Sequence, residues 1–307
     1  MVSVQKGVVV TQKMMLLESD AVHKLLAGKG IEKTDDMANY LFDLPYEEFI
    51  KQHKIENSDE AIREIVMYLQ DGKFRMDMQA PMGKMSNIIR EDLDKMYNIM
   101  WAQKKYMEMS LSQIRQMRKG VMQNMPQMQN MPDMSKMLEH PPPEAREKAL
   151  EAMRKAGRMQ QMQGQKIQDE PQSAEKTGRK KTINDFPCEE WLVRKGDSIS
   201  RHWVTSSKAE LARMIKDFSG TLRQGLGMNK KNEETEKEIW ELVPGTIPIE
   251  TRKFKQDRMG KVELEITRVE KIEQKQLAGK TFEVPEGFEP GSMFDMMNMQ
   301  PGKKEWD

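Results

Sequence analysis

The sequence is poor in the features that mark several common protein classes. It has a single cysteine, Cys188, in 307 residues, which excludes an internal disulfide and a cluster of thiolate metal ligands. It contains no run of about 18 apolar residues, so no transmembrane helix is predicted. The apolar run at residues 7–10 is too short for the core of a signal peptide. The protein is therefore either cytosolic or has lost a leader that preceded this numbering.

Strong net charge is also missing. Fifty Lys and Arg residues face 49 Asp and Glu residues, so no net field attracts nucleic acid or an anionic membrane. Aromatic residues are scarce, with nine Phe and five each of Trp and Tyr, whereas methionine is abundant at 30 residues. Much of the apolar surface is therefore flexible thioether. A hydrophobic fraction of 37% and a charged fraction of 32% predict a modest core beneath a heavily charged surface.

Methionine recurs at every third position in the segment VMQNMPQMQNMPDMSKM, residues 121–137. Thioether sulfur is a soft ligand that suits Cu(I), so one interpretation is a copper site. Pro126 and Pro132 oppose a continuous helix, and an extended chain would separate successive sulfur atoms by about 9 Å. The alternative is an apolar ribbon that docks on the protein itself or on a partner. The six candidate ligands are Met122, Met125, Met128, Met131, Met134 and Met137.

Alternating apolar and polar residues predict short antiparallel strands in both halves of the chain. KFRMDM and KVELEITRVE show the clearest two-residue period, which is typical of half-buried strands. Strands do not alternate with helices, so a parallel sheet is not expected. The predicted fold is α+β and mainly antiparallel β, an open, unclosed barrel or strongly curved sheet with inserted helices. The inward residues, which would line a core or an apolar ligand site, are Phe74, Met76, Met78, Val262, Leu264 and Ile266.

Residues 62–70 fit two structures. Their apolar positions share one helical face, but the Asp71-Gly72 pair that follows is a strong hairpin turn, and periodicity alone slightly favours the helix.

The predicted organisation assigns residues 1–18 and 62–110 to the first half of the sheet, 19–61 to a helical insertion, 111–178 to a Met-rich helical or low-complexity insertion, 179–290 to the second half with one helix at 207–218, and 291–307 to a disordered tail.

YLQDGKFRMDM, IIREDLDKMYNIMWAQKKYMEMSL, TGRKKTINDFPCEEWLVRKGD, SRHWVTSS and FEVPEGF are similar to a Met-rich family of secreted bacterial proteins of unknown function. That layout in turn resembles the LolA/LolB/RseB-like lipoprotein-carrier superfamily. The resemblance covers roughly residues 7–17, 62–110 and 177–290, and leaves the two insertions outside. It implies an unclosed antiparallel barrel with helices against its concave side, and it favours a strand at 62–70, which we adopt. It also implies export to the periplasm or another extracytoplasmic location.

Carriers of this superfamily often hold a lipid or acyl chain in an apolar cavity, and the best known use an arginine to latch a helical lid. The sequence does not match any particular arginine to that role. Cys188 as a nucleophile would need His202 as its base, and a buried thiol is the simpler interpretation. We therefore expect a non-enzymatic binding protein without a cofactor, whose ligand is a hydrophobic molecule or a protein partner and not nucleic acid. The alternative is a Cu(I) binder.

Overall fold

The fold is that of a computed structural model, which describes residues 6–56, 62–80, 83–113, 172–216, 239–257 and 259–291. Residues 1–114 and 172–307 form one compact unit, and residues 115–171 form a second. The second unit lies outside the described residues, as do the tail beyond residue 291 and the Gly-rich segment 217–238. Every element described below belongs to the first unit.

Twelve strands of the described ranges form one continuous sheet. Its spatial order is β12-β6-β5-β4-β3-β2-β1-β11-β10-β9-β8-β7, with β12 parallel to β6 and the other neighbours antiparallel. The two ends of this order do not pair, so the sheet of described strands is open, as predicted. The strands are β1 Gly7–Leu17, β2 Ile62–Gln70, β3 Lys73–Ala80, β4 Gly83–Arg90, β5 Lys95–Met100, β6 Lys105–Ser110, β7 Ser173–Ile183, β8 Phe186–Lys195, β9 Ser198–Thr205, β10 Ile247–Gln256, β11 Val262–Lys275 and β12 Glu289–Pro290.

The hairpin interpretation of residues 62–70 is confirmed. β2 pairs with β3 from Gln70↔Lys73 outward, and Gly72 adopts a φ of +63° in the two-residue turn between them. Such a turn needs positive φ, which glycine supplies without the steric penalty of a Cβ atom. The helical periodicity of this segment was misleading because β2 carries apolar residues on both faces: Leu69 is buried on one, and Val66 and Tyr68 are partly buried on the other.

The middle of the sheet is covered on both sides. Val8 and Val10 of β1 belong to one buried cluster, whereas Val9 between them belongs to another. Strand side chains alternate between faces, so the two clusters lie on opposite faces here.

The sheet is also strongly curved. Three strands separate β7 from β11 in the sheet, yet Asn184 in the β7–β8 turn donates a 2.8 Å hydrogen bond to the carbonyl of Val269 in β11.

Three helices lie between β1 and β2: α1 Ser19–Leu26, α2 Thr34–Asp43 and α3 Tyr46–Glu56. Each carries acidic residues in its first turn, which stabilise the positive end of the helix dipole. Their apolar faces pack on the ends of β1, β10 and β11. No helix in the described ranges is long and apolar enough to cross a membrane.

Two local interpretations of the sequence differ from the structure. Residues 173–178, assigned above to the Met-rich insertion, belong to β7, because residues 173–176 pair with β8 despite their polar composition. KEIWELV lies in the second half of the sheet, for which only the helix at 207–218 was predicted, and it contains the short helix Ile239–Leu242. The buried Ile239 packs there on Val193 and Val204, so tertiary contacts override a weak strand propensity.

Candidate functional site

A cleft of about 420 Å³ lies between the α2–α3 connection and strands β7, β9, β10 and β11. Six of its lining side chains are cationic and three are acidic. Aromatic rings and backbone complete the wall. The lining residues are Phe42, Asp43, Leu44, Pro45, Tyr46, Glu47, Arg179, Lys180, Lys181, Thr182, Ile183, Arg201, Trp203, Glu250, Arg252 and Arg268.

A β-bulge positions the charged pair at the base of this cleft. The register of β10 against β9 shifts between Pro248 and Glu250, so that Glu250 comes to lie opposite Trp203. Bulges commonly re-aim side chains next to a site. As a result, Glu250 and Arg252 are 1% and 3% exposed, far less than their charges alone would predict.

Arg252 joins β10 to the end of α2. Its Nε donates to the Glu250 carboxylate at 3.0 Å, and its Nη1 donates to the carbonyls of Phe42 at 2.8 Å and Leu44 at 2.6 Å, with a longer contact of 3.4 Å to Leu41. The last carbonyls of a helix have no partner within the helix, and they favour a cation. Burial lowers the pKa of Arg252, and the charge of Glu250 opposes that shift.

A second ion network borders the cleft at Asp43, the last residue of α2. Its carboxylate accepts from Arg201 at 2.6 Å and from Arg179 at 3.1 Å. Partial burial acts to raise the pKa of Asp43, but the hydrogen bonds from the two arginines hold it below its usual value. Arg201 also lies 3.1 Å from the buried Glu190. This network contains two cations and two carboxylates, so its charges balance.

Around Glu250, cations outnumber carboxylates. Besides Arg252, its carboxylate has Lys181 at 3.4 Å and Arg268 at 3.6 Å, so one buried carboxylate faces three cations. The Lys181 ammonium lies 4.2 Å from the centre of the Trp203 ring, and the Arg268 guanidinium lies 4.5 Å from that of Tyr46. Such cation–π contacts stabilise cations on an aromatic wall. The cleft thus combines excess positive charge with aromatic surface.

Tyr46 presents an unused donor beside these cations. Its side chain is buried, and its hydroxyl has no hydrogen-bond partner in the part of the chain that the structure describes. Burial raises the pKa of Tyr46 to about 12, with a further contribution from the charge of Glu270. The hydroxyl therefore keeps its proton and can donate a hydrogen bond to an anionic oxygen.

A family model, described as a domain of unknown function (DUF4412), matches residues 117–288, which is more than half of the chain. The chain belongs to the DUF4412 family. The match includes β7 to β11, and it omits β1 to β6. It also includes the methionine repeat, which lies outside the resemblance drawn from the sequence. No curated protein matches the chain.

The residues predicted to line an apolar ligand site fall into two separate groups. Val262, Leu264 and Ile266 are fully buried beneath α1, α2 and α3. Phe74 is buried in a different cluster, and Met76 packs against that second cluster. Met78 is partly buried on the same face of β3. None of these six residues is among the described lining residues of the cationic cleft.

The proposed copper ligands Met122, Met125, Met128, Met131, Met134 and Met137 lie outside the described residues of this DUF4412 chain. Copper binding by the repeat therefore stays a prediction. In the described ranges, no group of three or more His, Cys, Asp or Glu side chains is arranged to hold a metal ion.

Cys188 and His202 each bond to other partners. The Cys188 thiol is buried and donates to the carbonyl of Phe186 at 3.3 Å. The two ring nitrogens of His202 share hydrogen bonds with Ser200 Oγ at 2.8 Å and Thr251 Oγ1 at 3.0 Å. These hydrogen bonds link both residues to neighbouring groups of the β8–β10 region.

Sequence reasoning did not identify Arg252, Glu250, Lys181, Arg268 or Tyr46 as site residues. One signal was present. In IPIETRKFK, a glutamate and an arginine two positions apart precede Phe254 on the same strand, so the charged residues share a face with an apolar one. That pattern indicates a buried ion pair when the face is covered.

Proposed function

We propose that this protein is an exported, non-enzymatic binding protein that holds a hydrophobic molecule, such as an acyl chain, between its open sheet and its three helices. The supporting observation is how the helices are held. They cover the fully buried Val262, Leu264 and Ile266, and the carbonyl end of α2 is bound to β10 by Arg252. A small number of polar contacts thus helps to hold these three helices, the helical cover, over a large apolar surface.

The open antiparallel sheet agrees with what membership of the LolA/LolB-like carrier superfamily implies, and we include that membership in the proposal. In such a carrier the helices move from the sheet and the ligand takes the place of their apolar contacts. Arg252 is our choice for the arginine that holds the cover closed. Export follows from the same resemblance.

A non-enzymatic role is supported by the charged groups of the cleft. Asp43 has an arginine within 4.0 Å, and the hydrogen bonds from Arg201 and Arg179 hold its pKa below the usual value, which makes it a weak general base. The single thiol is buried, and burial raises its pKa to about 11. These groups suit binding better than nucleophilic or acid–base chemistry.

Titration of the full chain with the apolar fluorophore N-phenyl-1-naphthylamine tests the proposal. We expect saturable binding, and tighter binding by Arg252→Leu, because a cover that opens more readily exposes the apolar surface in a larger fraction of molecules. Lys255→Leu is the matched control, since Lys255 is an exposed cation on the same strand. Circular dichroism must show that both variants are folded. Absence of saturable binding, or equal affinities of Arg252→Leu and Lys255→Leu, contradicts the proposal.

A further inference from the structure

The three cations around Glu250 share one carboxylate. Arg252 makes the short contact, 2.9 Å from Nη2 to the Glu250 oxygen, while Lys181 and Arg268 lie at 3.4 Å and 3.6 Å. Within 4.0 Å, one negative charge therefore faces three positive charges, an excess of two. The carboxylates of Glu47, in the cleft wall, and of Glu270 act on Tyr46 in addition. Excess charge in a partly dehydrated site is costly unless an anion compensates it.

The two distant cations are the ones that a ligand can reach. Lys181 has a side chain that is 37% exposed and Arg268 one that is 18% exposed, whereas that of Arg252 is 3% exposed. Lys181 and Arg268 both line the cleft. The Nε–H of Arg268 is itself buried and has no acceptor among the described residues, so this guanidinium has an unused donor in addition to its exposed part.

Tyr46 also lines the cleft, and its buried hydroxyl is a third donor, unused among the described residues. Its ring packs against the Arg268 guanidinium, so the two residues belong to the same wall. From this arrangement we infer that the cleft binds a phosphate group through Lys181, Arg268 and the Tyr46 hydroxyl.

Phosphate matches the site better than carboxylate does. A phosphate monoester carries a charge of about −1.5 to −2 at neutral pH and three acceptor oxygens, which fits the excess of two positive charges and the three donors. A carboxylate carries one negative charge. Guanidinium groups also bind phosphate oxygens in pairs.

This inference rests on the proposed function and makes it more specific. The cleft is lined by the connection that leads from α2 into α3, and those helices cover the apolar cluster. A phosphate in the cleft thus lies beside the surface proposed for an acyl chain. The ligand is then an amphiphile with a phosphate head group, and a free phosphate is the other source of the same chemistry.

Isothermal titration calorimetry of the full chain with decyl phosphate, decanol and inorganic phosphate tests the inference. We expect decyl phosphate to bind at least about tenfold more tightly than decanol. Lys181→Met and Arg268→Met should each remove most of that difference. Lys271→Met is the matched control, because Lys271 lies on β11, is 63% exposed and pairs with Glu273. If Arg268→Met does not fold, the partly exposed Lys181 still provides the test.

The outcomes separate this inference from the proposed function. Equal binding of decyl phosphate and decanol overturns the phosphate site and leaves the hydrophobic ligand standing. Preference for decyl phosphate that survives in both Lys181→Met and Arg268→Met also overturns the site. Binding of inorganic phosphate as tight as that of decyl phosphate, lost in Lys181→Met, supports the site and contradicts the hydrophobic ligand. Binding of none of the three probes contradicts both.

Discussion

Arg252 and Phe42 lie 210 positions apart in the sequence, and the Nη1 group of the arginine donates a 2.8 Å hydrogen bond to the carbonyl oxygen of the phenylalanine. The contact joins β10 to the end of α2. The same guanidinium neutralises the buried Glu250. One side chain therefore supports both the helical cover and the charge balance of the cleft.

Replacing Arg252 with leucine should lower the free energy of unfolding by about 3 kcal/mol, because it removes the closest cation of the buried Glu250 carboxylate and the donor to the carbonyls of Phe42 and Leu44. Urea denaturation followed by circular dichroism measures the change. In the double variant Arg252→Leu/Glu250→Gln the loss should be smaller than the sum of the two single losses, since the paired charges are removed together. Strict additivity would mean that the pair is not coupled.

His202 should make the protein less stable as the pH falls from about 6.5 to about 4. Burial, with a smaller contribution from the charge of Lys253, lowers the pKa of His202 from 6.5 to about 4. Between these values the unfolded chain binds the proton and the folded chain does not, so stability is complete above pH 6.5 and declines below it. The shift corresponds to a loss of up to roughly 3 kcal/mol.

Urea denaturation of wild type and His202→Gln at several pH values isolates this contribution from that of the carboxylates. The stability of the variant should fall less steeply than that of wild type between pH 6.5 and 4. Parallel curves for the two proteins would show that the folded histidine titrates normally.

The thiol of Cys188 should resist alkylation in the folded protein. Burial raises its pKa to about 11, which leaves roughly one thiolate in a thousand at pH 8, and the thiolate is the reactive form. Iodoacetamide should label the cysteine quickly in 8 M urea and at least about a hundredfold more slowly in buffer, as followed by mass spectrometry. Equal rates would place the thiol at an accessible surface.

Gly7 at the start of β1 packs closely against Leu277, which follows β11. A Cβ atom added at Gly7 would overlap the side chain of Leu277 and approach the carbonyl of Leu69 at 3.1 Å. We expect Gly7→Ala to destabilise the protein by about 1–3 kcal/mol, measured by thermal unfolding. In a Leu277→Ala background the same change should cost less, because the overlapping atoms are gone. An undiminished cost there would point to another cause.

The antiparallel strands of the sheet could be predicted because their buried residues recur with a two-residue period. Val262, Leu264 and Ile266 alternate with polar residues, and all three are fully buried. The strand at 62–70 was different, because periodicity slightly favoured a helix there and the family resemblance decided for the strand. The Asp71-Gly72 turn is a local signal for that hairpin, since glycine supplies the positive φ that the turn needs. These signals act over a few residues, so the sequence displays them directly.

The cationic cleft could not be predicted, since it depends on contacts between distant segments. Lys181, Glu250 and Arg268 look like ordinary solvated residues in the sequence, and only the bulge in β10 and the curvature of the sheet bring them together. The burial of Arg252 depends in addition on where α2 ends. Apart from the two-residue spacing of Glu250 and Arg252 on one face of β10, none of these relationships has a local period or motif.

The most direct test of the account is native mass spectrometry of the full chain purified from its own host. We predict a noncovalent adduct of lipid mass that is lost under denaturing conditions and gives a phosphate-containing lipid on extraction. A chain that carries no lipid in the native spectrum, and that takes up none when incubated with the host's extracted lipids, would contradict the central claim that the three helices cover a ligand-binding surface.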